Sequence, residues 1–148
     1  MRVVVDTNRI IAALMKDGVS RRILTHGDAE FITISFSKEE IQEHRSRLLS
    51  RSGLTEEVFD VVLQKIFERT VILDDNIVKK FMHPASKIMD SIDPDYTPFI
   101  AAALATSSDI WSDDPHFQKQ KRVRVRTTIK FSQMFGEYNV GHNYNVGN

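Results

Sequence analysis

Cysteine is absent from the 148-residue sequence. That removes disulfide frameworks, thiolate nucleophiles and cysteine-ligated zinc from consideration, and it fits a reducing interior. Long apolar runs are missing as well: the longest, residues 99–105, falls far short of the roughly 18 residues that a membrane span requires. Near the start, Val3-Val4-Val5 meets Asp6 too soon to form a signal-peptide core. The expectation is a soluble, cytoplasmic protein with no membrane segment. Net charge is also lacking, with 20 basic against 20 acidic side chains, but the total hides a segregation. Residues 88–118 carry six acids (Asp90, Asp93, Asp95, Asp109, Asp113, Asp114) and neither Lys nor Arg. Residues 119–130 reverse this with six bases and no acid, so neutrality does not exclude a polyanionic partner.

What is present is one domain's worth of core, since 41 % of the side chains are hydrophobic in a chain long enough to bury most of them. Val3-Val4-Val5 reads as a short buried strand stopping at the turn-favouring Asp6-Thr7-Asn8. Helical spacing of Ile10, Ile11, Leu14 and Met15 follows, then a short helix over 20–25 ending at Gly27. Residues 31–34 and 71–73 read as strands. Ser37-Lys38-Glu39-Glu40 has the form of a capping box opening a helix over 37–50. Gly53 stops that helix and Thr55 caps another, with Val58, Val61, Val62, Ile66 and Phe67 predicted on its buried face. A helix with Ile77, Val78, Phe81 and Met82 leads to a Pro-containing acidic loop over 92–97 and an Ala-rich helix over 98–105. Ile110-Trp111 is a short buried strand, and Val123 and Val125, alternating with Arg122, Arg124 and Arg126, form the last. Strands alternating with helices predict an α/β domain with a short, mostly parallel sheet and helices on both faces. The Asn- and Gly-rich tail, 136–148, is too polar to build a core and is expected to be flexible, leaving a domain over 1–135.

In parallel α/β sheets the functional crevice lies at the carboxyl ends of the strands. Asp6 ends the first strand, Asp113-Asp114 follow the Trp111 strand, and Asp93-Pro94-Asp95 precede the Ala-rich helix. Gathered carboxylates push each other's pKa upward unless a cation compensates, and a hard divalent ion does so. Each Asp also has a structural explanation: Asp114 before Pro115 has the form of a helix cap, and Asp6 is placed to cap the first helix. Composition and periodicity lead as far as an acidic pocket and a metal site.

Four blocks sharpen this reading. Val3-Val4-Val5-Asp6-Thr7-Asn8, the segment from Ser37 to Leu49, Asp93-Pro94-Asp95-Tyr96-Thr97-Pro98-Phe99-Ile100-Ala101 and Ile110-Trp111-Ser112-Asp113-Asp114 occur in the order found in PIN domains, and Arg124-Val125-Arg126-Thr127-Thr128 resembles the closing strand and turn of that family. The sequence therefore resembles a PIN domain, the metal-dependent nuclease fold that includes VapC-type toxins, over about residues 2 to 130. The resemblance implies a three-layer α/β/α domain and a ribonuclease hydrolysing phosphodiester bonds with Mg²⁺ or Mn²⁺. The implied metal ligands are Asp6, Glu43, Asp95 and Asp114, Glu43 being selected over Glu40 because it stands five residues before Leu48 while Glu40 is assigned to the cap. Asn8, Asp93, Ser112 and Asp113 become supporting residues. RNA as substrate, an antitoxin protein and a homodimer or higher homo-oligomer are the implied partners. Tyr96 stands where many relatives carry a second acid, and Asp113 where they carry Asn or Gly. His44 and His116 lie near the acids and read as hydrogen-bond partners.

Arg122, Arg124 and Arg126 are read both as a solubilising edge and as a positive face for a phosphate backbone. Two other functions remain open at this point. A catalytically degenerate PIN-fold scaffold binding RNA or protein keeps the fold and removes the enzyme. A haloacid-dehalogenase-type hydrolase also begins strand-then-Asp, but it needs a second Asp where Asn8 stands.

Overall fold

The computed structural model of the chain describes residues 1–16 and 18–135. The expectation for the tail falls outside the described residues. The elements run β1 (Arg2–Val5), α1 (Thr7–Leu14), α2 (Gly18–His26), β2 (Glu30–Ile34), α3 (Ser35–Glu43), α4 (Arg45–Ser52), α5 (Glu56–Glu68), β3 (Thr70–Leu73), α6 (Asp75–Met89), α7 (Thr97–Thr106), β4 (Asp109–Trp111), β5 (Val125–Arg126) and α8 (Thr128–Met134). The five strands form one sheet in the order β3-β2-β1-β4-β5, and every neighbouring pair is parallel. The order reverses direction at β1, so the β1/β4 seam is the topological switch point where an open α/β sheet offers a crevice.

Strand periodicity decides which residue faces which layer. Val3 and Val5 belong to the core beneath α1, α2, α5 and α8, with Phe31, Trp111 and Phe131. Val4 points the other way and packs with Ile32, Ile34, Ile110, Phe99 and Phe117 against α6 and α7. The valines are fully buried because both faces of the sheet are covered, which is why the strand reads as a continuous apolar run. The expected three-layer α/β/α arrangement is the one observed. No helix among the described residues is long and apolar enough to cross a membrane.

Four local expectations are corrected. The predicted helix over 37–50 is two helices, parted at His44, whose ψ of 16° leaves the helical path. Helix α3 begins at Ser35 directly after β2, with Ile34 at the N-cap and no side-chain cap, so Ser37 and Glu40 form no capping box. On α5 the buried stripe is set by Phe59 and Ile66, seven residues apart, with Val62, Leu63 and Phe67 flanking; Val58 and Val61, roughly 100° and 150° round the helix from that stripe, are exposed. The last strand covers only Val125 and Arg126, so residues 122–124 lie outside it, with the carbonyl of Arg124 alone accepting from the Ile110 amide of β4. Gly53 does end α4, at a φ of 71° that favours glycine, and Thr55 does cap α5 by accepting from the amide of Val58.

Candidate active site

Asp6 closes β1 and caps α1 in one stroke. Its backbone amide donates to the carbonyl of Trp111, tying it to β4, and its Oδ1 accepts from the amide of Asn8. Oδ2 accepts from the Ser112 hydroxyl at 2.7 Å. The residue is 1 % exposed, and burial pushes its carboxyl above the usual carboxylate range, with the charge of Asp114 pushing in the same direction against the hydrogen bonds from Ser112 and Asn8. A chain of buried hydroxyls supports the next residue: Thr7 lies 2.6 Å from Ser37, and Thr33 lies 3.0 Å from both Ser37 and the carbonyl of Val5. Ser37 therefore pins the start of α3 against the end of β1.

That pinning sets what α3 presents. A cleft of about 290 Å³ opens at the carboxyl ends of the strands, lined by Asp6, Thr7, Asn8, Phe36, Glu40, Asp95, Tyr96 and Phe99. Glu40 forms part of the wall. Glu43, the last residue of α3, is exposed and outside that lining, so the structure brings Glu40 rather than Glu43 to Asp6. The signal was present in the sequence, since Phe36 and Glu40 are four residues apart and share a helix face once α3 is known to begin at Ser35.

Asp114 follows β4 and caps the 3₁₀ turn Pro115–Lys119 by accepting from the amide of His116 at 2.9 Å. Its Oδ2 accepts from the Tyr96 hydroxyl at 2.5 Å. Partial burial pushes this carboxyl up, but the bonds from Tyr96 and His116 outweigh it and hold it below the usual range. The Tyr96 phenol is itself pushed up, by burial and by its bond to Asp114, and stays a proton donor. Two neighbouring carboxylates thus have unlike environments, one buried and raised, the other hydrogen-bonded and lowered.

The remaining acids divide. Asp95 is exposed on the cleft wall. Asp93 accepts from the amide of Asp95 and lies 2.9 Å from Nδ1 of His116, so it shapes the loop. Asp113 turns away from the cleft: it accepts from the amide and hydroxyl of Thr128 and pairs with Arg9 at 3.0 Å, anchoring α8. It restores no charge to the wall. Arg126 is likewise committed, through Nε to Asp109 at 2.7 Å, whereas Arg122 and Arg124 are exposed. The three guanidiniums do not form one outward face.

The donor set is all oxygen and carboxylate-rich, the chemistry of a hard divalent cation. Among the described residues no three acidic or imidazole side chains converge as placed. A magnesium-type ion does not need them to, because it is commonly held by one or two carboxylates with water and phosphate oxygens completing its shell. Asp6 fits that pattern from the cleft lining, and Asp114, outside that lining, is tied to it by the Tyr96 hydroxyl and by its charge acting on Asp6.

One solved structure with this fold is that of VapBC2 from Rickettsia felis bound to a DNA fragment from their promoter; a chain of it superposes with a TM-score of 0.63 at 14 % identity, covering 86 % of this chain and 98 % of that one. No curated protein matches the sequence. The PIN domain family matches residues 4–134, from the middle of β1 to the end of α8, and the chain belongs to that family.

Proposed function

We propose that the protein is a divalent-cation-dependent endoribonuclease. The observation that carries the reading is Asp6: a carboxylate 1 % exposed, at the switch point of a parallel sheet, within electrostatic reach of Asp114. A buried charge repelled by its neighbour is costly unless a cation joins the pair, and PIN domains are generally nucleases. Asp6 and Asp114 would hold Mg²⁺ or Mn²⁺, with Asp95 and Glu40 facing the cleft that Asp6 lines. Such an ion supplies an activated water at neutral pH and offsets charge developing on a phosphate.

The protein's own groups supply orientation. Ser112 fixes the Asp6 carboxylate and Tyr96 fixes that of Asp114. Phe36, 51 % exposed on the cleft wall, offers a ring face to an unpaired base, which suits single-stranded or looped RNA. Exposed Arg122 and Arg124 would meet the phosphate backbone. Since the structural neighbour is a VapBC complex, we propose as well that this chain is the toxin of a toxin–antitoxin pair, works as a homodimer or higher homo-oligomer, and acts in the cytoplasm over a nuclease domain of residues 1–135.

The test is cleavage of a labelled single-stranded RNA with Mg²⁺, with Mn²⁺ and with chelator. Cleavage restored by Mn²⁺ and lost in Asp6→Asn is expected. Cleavage that survives both chelator and Asp6→Asn overturns the metal reading. The Tyr96–Asp114 bond, which occupies one acid of the site, favours the second reading of a non-catalytic PIN-fold scaffold. That reading predicts RNA binding without cleavage under every metal condition.

A further inference from the structure

Tyr96 lies on the cleft wall between Asp95 and the start of α7, and its hydroxyl donates to Oδ2 of Asp114 at 2.5 Å. The other carboxylate oxygen of Asp114 already accepts from the amide of His116. Both oxygens of that acid are therefore engaged before any ligand arrives. Nor is the phenol free to swing: its ring stacks on Phe117 at 4.7 Å with an interplanar angle of 20°, and Phe117 is fully buried and meets Phe99 edge-on at 6.3 Å. The hydroxyl is thus a fixed competitor for Asp114, held in place by the aromatic core on which α7 rests.

We propose that Tyr96 acts as a latch on Asp114 that weakens divalent-cation binding and limits the cleft to one ion. The inference rests on the nuclease reading above and deepens it. Two properties of the side chain produce the effect. A charge-assisted bond to the carboxylate must be shared or broken when a cation takes Oδ2, so the hydroxyl subtracts from the affinity of the cation. Being uncharged, Tyr96 also adds nothing to the negative charge of Asp6, Glu40, Asp95 and Asp114, and with Oδ2 of Asp114 engaged by the hydroxyl these leave too few free carboxylate oxygens for two divalent ions side by side. Tyr96 is accordingly a positioning residue that sets affinity and stoichiometry through Asp114.

Calorimetric titration of Mn²⁺ into the full-length protein tests this without reference to activity. Tyr96→Phe keeps the ring and its stack on Phe117 and removes only the hydroxyl; it should bind one Mn²⁺ about tenfold more tightly than the unaltered protein, as expected from loss of one competing hydrogen bond to a charged group. Tyr96→Asp should bind two. Asp114→Asn in the Tyr96→Phe background should cancel the gain, showing that it passes through Asp114. Mn²⁺ bound no more tightly by Tyr96→Phe than by the unaltered protein overturns the latch, and if Tyr96→Asp misfolds, the Tyr96→Phe comparison alone decides. The two readings fail separately: chelator-sensitive RNA cleavage with unchanged affinity in Tyr96→Phe removes the latch and keeps the nuclease, whereas tighter Mn²⁺ binding by Tyr96→Phe in a protein that never cleaves RNA keeps the latch and removes the nuclease.

Discussion

The hydroxyl of Ser112 donates to Oδ2 of Asp6 at 2.7 Å and accepts from the backbone amide of Asp114 at 3.0 Å, so one buried serine ties the carboxylate of Asp6 to the backbone of Asp114. Ser112 itself is fully buried, and its own amide donates to Arg126 across the β4/β5 ladder. Replacing it with alanine leaves a buried carboxylate oxygen and a backbone amide without their partner. Ser112→Ala should lower stability by about 1–3 kcal/mol in urea denaturation. RNA cleavage should fall at the same time, because Asp6 loses the bond that aims it. Undiminished stability would show that the bond is not formed in solution.

Asp6 and Asp114 make opposite contributions to stability, and their pH windows do not overlap. The folded protein holds the Asp6 proton more tightly than the unfolded chain does, so stability falls as pH rises from the ordinary value of 3.8 through the raised folded pKa. Asp114 is lowered, so its contribution is present above 3.8 and is lost as pH falls through its folded pKa. Asp6→Asn removes this titration but also gives up one of the two hydrogen bonds that the carboxylate accepts, from Asn8 and Ser112, because an amide has a single acceptor oxygen. The lost bond is a constant cost, so the pH trend carries the prediction: relative to the unaltered protein the variant should gain stability as pH rises from 3.8 through the raised folded pKa, while losing cleavage. Melting curves across that range check it, and a difference between the two proteins that stays constant with pH would contradict the assignment.

Glu40 and Glu43 separate the two readings of α3. Since α3 has no side-chain cap and Glu40 lines the cleft, Glu40→Gln should reduce cleavage with stability kept, and Glu43→Gln should change neither. A larger loss for Glu43→Gln would restore the ligand set implied by family resemblance.

The same pair shows what the sequence made legible. Apolar runs bounded by turn residues located four strands, Val/Arg alternation found the fifth with its start set too early, and the acids after β1 and β4 led to the switch point, because those signals are local. The start of α3 was not local: Ser37 has the form of a cap, and only its contacts with Thr7 and Thr33, on two other elements, show that it is a buried pin. Tyr96 was legible as a missing acid, but its partner lies 18 positions away across a fold-dependent contact. Asp113 failed for a related reason, since its partners Arg9 and Thr128 come from the two ends of the domain.

The basic segment yields to the same argument. Alternation placed three arginines on one face of a strand, yet β5 is two residues long and Arg126 is held by Asp109, with Nη1 also 2.9 Å from the sulfur of Met134. Only Arg122 and Arg124 are exposed. Arg122→Gln with Arg124→Gln should weaken RNA binding with little regard to sequence and flatten the slope of log affinity against log salt by up to about 1.4, at roughly 0.7 per phosphate contact on a single strand. Thermal stability should hardly move. Arg126→Gln should do the reverse: the salt slope stays, and stability drops by about 1 kcal/mol because Asp109 is left half-buried without its partner. Filter binding over a salt series, run beside melting curves, reads both at once. A salt slope that falls for Arg126→Gln and holds for the double variant would return the phosphate contacts to the strand and make the exposed pair a guarded edge.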